Sequence, residues 1–229
     1  MYDVMQDYLH LNNISEFNIV LHTSYIVHLI SMLKIGLTGG LGSGKTTVAH
    51  IFEVLGIPVY YADAASKRLM NDDEKVKAAV QNAFGKEAYP GGKLDRKYLA
   101  EIVFNDGKKL EKLNSIVHPA TLRDADEWIS KQTAPYAIKE AALIFESGSH
   151  QSLDYVIGVK APLHLRLQRA MKRDNISHEE VMARINRQID EEIKIRLCDF
   201  IIVNDEQQMV IPQVLALHQK LLQLVNTIG

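Results

Sequence analysis

The run Gly39-Gly40-Leu41-Gly42-Ser43-Gly44-Lys45-Thr46 constrains this chain more than any other feature. It satisfies GxxxxGK[ST] and sits where that spacing has physical meaning. The apolar stretch from Met32 to Thr38 precedes it as a strand, and Val48, Ile51, Phe52 and Leu55 follow at helical spacing. Glycine lets backbone fold around a phosphate without Cβ clashes, so that N–H groups and the positive end of the following helix face the anion. The pattern predicts a nucleoside triphosphate site. Its contacts are expected from Gly39, Leu41, Gly42, Ser43, Gly44, Lys45, Thr46 and Thr47. Lys45 is expected to neutralise the β- and γ-phosphates, and the Thr46 hydroxyl to ligate Mg²⁺.

The rest of the chain reads as an α/β fold built around that loop. Gly56 closes the first helix as a C′ residue, and IPVYY follows as a second strand ending near Ala62. Further strand patterns run from Tyr136 to Phe145, Tyr155 to Lys160 and Phe200 to Val203, separated by helical or polar sequence as parallel strands require. The expectation is a three-layer P-loop NTPase fold with about five parallel strands, spanning residues 32–229. Residues 64–131 are predominantly helical, with Val76, Val80 and Phe84 on one face and Tyr98, Leu99 and Ile102 on another. They read as a substrate-binding insertion. Tyr89-Pro90-Gly91-Gly92 breaks it, and His118-Pro119 predicts a boundary before the helix carrying Trp128.

Residues 166–197 read as a lid. Arg166, Arg169, Lys172, Arg173, Arg184 and Arg187 place cations over two helices, and Ser177 with Glu180 forms a capping box between them. Guanidinium donors match phosphate oxygens, and closure would exclude water. A solvated helix face is the competing reading, heavier for Arg166 and Arg184 taken singly.

Three further residues are candidates. Asp63 follows the second strand, at the sheet edge where an acceptor should sit. It equally suits the N-cap of a helix starting at Ala64. His118 could meet an anionic substrate or serve structure alone. Glu146, closing AALIFE, could approach Mg²⁺ or the acceptor, or be an ordinary strand-end carboxylate.

Composition removes other classes. A net charge of −2 gives no global attraction to polyanions, so neither nucleic-acid nor membrane-surface binding is expected. The apolar run Ile19–Ile30 is interrupted by His22, Thr23, Ser24 and His28 and falls short of the ~20 residues a membrane span needs. It lacks the basic start of a signal peptide. Cys198 stands alone, which fits a reducing cytoplasm. Histidine spacing offers no zinc set. Residues 1–31 read as an extension dispensable for chemistry, for which a misassigned start at Met1 is one explanation. A monomer or weak homo-oligomer is expected. Neither NKxD nor DxxG occurs, which disfavours a nucleotide-dependent switch.

The ordered set IGLTGGLGSGKTTVA, Ala62-Asp63, Gly92-Lys93-Leu94-Asp95-Arg96, Leu113-Asn114…His118-Pro119 and Leu143-Ile144-Phe145-Glu146 resembles the dephospho-coenzyme A kinase family. The likeness continues through Arg169…Arg173-Asp174, Gln188 and Asp199-Phe200…Asn204-Asp205, covering about Leu33 to Asp205. The resemblance implies transfer of the ATP γ-phosphoryl group to the ribose 3′-hydroxyl of dephospho-CoA. It implies that Asp63 takes or orients the hydroxyl proton, and that Arg169 and Arg173 belong to the lid over the phosphates. Arg96, His118 and Glu146 would join Asp63 on the substrate side. Tyr61 stands where that family often has an acidic residue, and Ala142 where proline is usual. Another small-molecule kinase is the nearest rival reading.

Overall fold

Parallel pairing needs a crossover between successive strands, and the chain supplies α-helices at three of the four, the other being a turn with a short 3-10 segment at Ser149–Ser152. The computed structural model describes residues 32–104 and 106–228; the 1–31 extension lies outside them. β1 (Leu33–Thr38) runs into the glycine loop and α1 (Lys45–Val54). β2 (Val59–Tyr61) leads into α2 (Ala62–Asp72), followed by α3 (Glu74–Phe84), α4 (Arg96–Phe104) and α5 (Gly107–Ile129). Then come β3 (Tyr136–Glu140), β4 (Tyr155–Lys160), α6 (Leu163–Asp174), α7 (His178–Ile185), α8 (Glu191–Arg196), β5 (Phe200–Val203) and α9 (Val210–Ile228).

The strands form one sheet in the order β2-β3-β1-β4-β5, parallel at every pairing. Ile35 faces Ile138 in register, and Ile157 faces Phe200. Leu33, Ile35, Leu37, Ile138, Ile157 and Ile202 join Val48 and Phe52 of α1 and Val214 and Leu221 of α9 in the main core. The opposite sheet face packs Tyr60, Ala62, Ala65, Ala125, Ile144 and Val156 together. Helices α2 to α5 enclose a separate apolar cluster of Leu69, Val76, Val80, Phe84, Tyr89, Leu99 and Ala120. Gly56 sits at φ 80° just past the first helix, in the left-handed region a C′ glycine favours. The Ser177–Glu180 capping box is present in both directions.

Three local expectations are corrected. Helix α2 starts at Ala62, so Asp63 lies in its first turn and makes no cap hydrogen bond; the N-cap is Tyr61. His118-Pro119 does not separate helices. α5 runs through Pro119 unbroken, because tertiary packing of Val117, Ala120 and Thr121 outweighs one missing backbone donor. β3 ends at Glu140, and the residues after it form a turn that buries Ile144 and leaves Leu143 exposed, rather than extending the ladder. Among the described residues no helix is long and apolar enough to cross a membrane.

Candidate active site

The carboxyl ends of β1, β2 and β3 carry the glycine loop, Asp63 and Glu140 to one edge of the sheet, as open parallel sheets do at their ligand crevice. Gly42 and Gly44 adopt φ of 77° and 98°, conformations that glycine enters at little cost. A Cβ on Gly40 would meet the Arg166 guanidinium, and one on Gly42 the Arg166 carbonyl oxygen. These glycines therefore also let α6 seat directly on the loop.

The loop is gripped from outside. Arg166 Nε donates to the Leu41 carbonyl at 3.1 Å, while its guanidinium pairs with Glu191 at 3.3 Å. The Leu41 N–H donates to Gln188 Oε1 at 3.3 Å, and Asn204 Nδ2 donates to the Ser43 carbonyl at 2.9 Å. Inside it, Lys45 Nζ donates to the carbonyls of Gly39 and Gly40 at 3.0 and 3.2 Å. The buried Ser43 hydroxyl has no partner among the described residues. Burial pushes the Lys45 ammonium below its ordinary range, against the pull of the Glu140 and Asp63 carboxylates. Burial likewise raises Glu140, with Lys45 opposing the rise.

Lys45, Thr46, Asp63, Glu140 and Arg173 line a cavity of about 340 Å³ over the loop. A second cavity beside it is lined by Asp63, Ser66, His118, Thr121, Lys139 and Ser149. Asp63 alone of the candidate residues borders both. In the second cavity, burial and the nearby Lys139 charge hold His118 below its usual range, favouring the neutral ring. Burial also lowers Lys139, which Asp126 partly offsets. The Thr46 hydroxyl with the Asp63 and Glu140 carboxylates supplies hard oxygen donors in the first cavity. Among the described residues no group of three or more His, Cys, Asp or Glu could hold a metal unaided. Mg²⁺ usually takes one or two protein oxygens and completes its shell with phosphates and water, so the Thr46, Asp63 and Glu140 oxygens fit it.

Most of the remaining sequence candidates lie outside the two cavities. Thr47 is exposed on α1, and Arg96 is exposed at the start of α4; neither lines these two cavities. Arg169 donates to the Asn204 carbonyl at 3.2 Å and pairs with Glu206 at 2.9 Å. Glu146 pairs with Lys194 at 3.0 Å. Arg173 reaches the first cavity, its guanidinium bound to Asp174 at 2.7 and 3.1 Å; Arg184 joins that carboxylate at 3.0 Å. Arg166 is 4% exposed, so the solvated-face reading fails for it.

Sequence reasoning missed Lys139, Glu140 and Lys194. A signal existed for the first two: consecutive charges inside an otherwise apolar strand, which a parallel sheet buries on both faces. Lys194 sits in a short polar-looking helix and gave none.

The dephospho-CoA kinase family model matches residues 33–209. A dephospho-CoA kinase of Bacteroides fragilis is 38% identical over 195 residues, covering 85% of this chain and 95% of that relative. One from Thermus thermophilus is 39% identical over 171 residues, covering 74% of this chain and 82% of the relative. Among solved structures, TT1252 from Thermus thermophilus superposes with a TM-score of 0.73 at 36% identity, covering 84% of this chain and 97% of the other. Dephospho-CoA kinase from Campylobacter jejuni gives 0.61 at 28%, covering 83% and 97%. The matched span contains the glycine loop, Asp63, Glu140 and the α6–α8 segment that grips the loop, and the chain belongs to the dephospho-CoA kinase family.

Proposed function

We propose that this protein transfers the γ-phosphoryl group of ATP to the ribose 3′-hydroxyl of dephospho-CoA, giving CoA and ADP, the final step of coenzyme A synthesis. One observation carries the reading: Asp63 borders both the cavity over the phosphate loop and the cavity holding His118 and Lys139. A carboxylate in that place can orient an acceptor hydroxyl toward a phosphate bound on the loop.

The bond from the acceptor oxygen to Pγ forms as the bond from Pγ to the bridging β-oxygen breaks, and the hydroxyl proton passes to Asp63. The transition state is loose, so positioning and charge neutralisation matter more than prior deprotonation. Lys45 leaves the Gly39 and Gly40 carbonyls to meet the β- and γ-oxygens, and the loop amides and Ser43 hydroxyl supply donors. Arg173 approaches from α6 to balance charge on the transferring group. The Thr46 hydroxyl would hold Mg²⁺, which when bound would further neutralise phosphate charge. His118, as a neutral ring, and Lys139 bind the acceptor side. A cytoplasmic setting, where ATP is abundant, and a monomer or weak homo-oligomer complete the proposal.

The test is acceptor-dependent ADP release with ATP and Mg²⁺, comparing dephospho-CoA with adenosine, AMP, pantothenate and shikimate. Turnover with dephospho-CoA well above every other acceptor supports the reading. Folded, ATP-binding protein that ignores dephospho-CoA refutes it.

A further inference from the structure

Helix α8 is built against the usual rule for a surface helix. Ile193 is 55% exposed and Leu197 just beyond the helix 53%, while Lys194 between them is 0% exposed. Its ammonium donates to the Ala142 carbonyl at 2.9 Å and pairs with the Glu146 carboxylate at 3.0 Å. Glu146 also accepts the Ile189 N–H at 3.1 Å. Ala142 and Glu146 bracket the turn that follows β3. Ala142 lines the cavity over the phosphate loop, and Leu143 and Ser147 line the acceptor cavity. The same stretch reaches the phosphate loop through Gln188, on the Leu41 N–H, and through Glu191, on the Arg166 that holds the Leu41 carbonyl. One segment, 188–194, is thus bonded to the phosphate loop and to the wall shared by the two cavities.

Stability does not explain the buried pair. Removing an ammonium and a carboxylate from water costs about what their attraction returns, and apolar side chains of similar volume serve a core equally well. A buried cation bonded to a carbonyl and a carboxylate does, however, fix two points of a turn that has no ladder of its own.

We infer that Lys194 is a positioning residue: it holds the Ala142–Glu146 turn so that the acceptor cavity stays in register with the phosphate loop. The kinetic consequence rests on the kinase reading above; the structural consequence does not. Burial is the main cause that lowers Lys45, and the Lys194 charge adds to it, so the two ammonium groups are electrostatically in touch.

Lys194→Met strands the Glu146 carboxylate, so the decisive variant is Lys194→Met with Glu146→Gln. The double variant should melt close to wild type and bind ATP, by calorimetry, within about threefold. Its kcat/KM for dephospho-CoA should fall by up to about 10²-fold, the cost of a misplacement near 1 Å. That loss should exceed any change in the KM for ATP. Amide exchange over residues 142–147 should quicken by about tenfold or more while residues 39–46 keep their rate. A double variant with wild-type turnover and wild-type exchange in the turn overturns the assignment. One that fails to fold also overturns it, since the pair would then serve stability alone. If the wild type itself ignores dephospho-CoA, the activity is wrong, and the exchange measurement still decides the role of Lys194.

Discussion

At the scale of single residues, the chemistry proposed here divides between groups that sequence spacing exposes and groups that only folding reveals. Lys45, Thr46 and Asp63 were legible because a contiguous loop and a strand end fix their places. Lys45→Ala should abolish phosphoryl transfer; near-normal ADP release would remove Lys45 from the mechanism. Asp63→Asn should lower kcat by roughly 10²-fold or more, the range for a positioned acid–base group, while ATP binding persists. Because Asp63 makes no helix-cap hydrogen bond, the melting temperature of that variant should stay near wild type. A large drop in melting temperature with kcat intact would assign Asp63 to structure instead. Arg166 and Lys194 were illegible for a physical reason. Long cationic side chains at helical spacing read as solvated, and which of them is buried depends on what another element brings against it.

At the scale of elements, two joints hold the site. The first seats α6 on the glycine loop. Gly42→Ala would force a side chain into the left-handed region and against the Arg166 carbonyl. A loss of about 1–3 kcal/mol should follow, with weakened ATP binding, and thermal unfolding with calorimetry reads both. Unchanged melting would mean that α6 is not seated on the loop as described. The second joint ties α2, which carries Asp63, to α5, which carries His118. Tyr60 Oη donates to Asp124 at 2.6 Å, and Arg68 spans both Asp124 oxygens at 2.8 and 2.6 Å. Burial raises the Asp124 carboxyl, but the hydrogen bonds from Arg68 and Tyr60 outweigh it and hold the group below the usual carboxylate range. A depressed folded pKa contributes stability above the unfolded value, near 3.9, that is lost as pH falls through the folded one. Asp124→Asn should therefore cost about 1–3 kcal/mol at pH 7, and the gap should narrow below about pH 4. Urea unfolding at pH 7, 5 and 3.5 checks this, and a gap that is constant across the three would contradict the pairing. Element boundaries were the least legible feature. His118-Pro119 carries a break signal that packing of α5 overrides, and the apolar turn after Glu140 looks like strand until Ile144 is seen facing the core.

At the scale of the molecule, hydrophobic periodicity and the parallel-crossover rule made the five-stranded α/β architecture readable, since short, largely apolar runs alternate with helical or polar sequence long enough to cross over. The placing of two cavities on either side of Asp63 was not readable, because it depends on β3 lying between β1 and β2 in space although it follows both in sequence. Among the described residues the main core draws on positions from Leu33 to Val225. The sequence reading of residues 1–31 as dispensable for chemistry predicts that a chain beginning at Met32 keeps wild-type turnover and melting; loss of either would give residues 1–31 a role. The central claim is a chemical one, the transfer of a phosphoryl group to a defined hydroxyl. The most direct measurement is mass and phosphorus–proton correlated NMR analysis of the product formed from dephospho-CoA, ATP and Mg²⁺. The account predicts a product about 80 Da heavier, the mass of one phosphoryl group, with its new phosphorus coupled to the ribose 3′ proton. No such product, or one phosphorylated at another position, would contradict it.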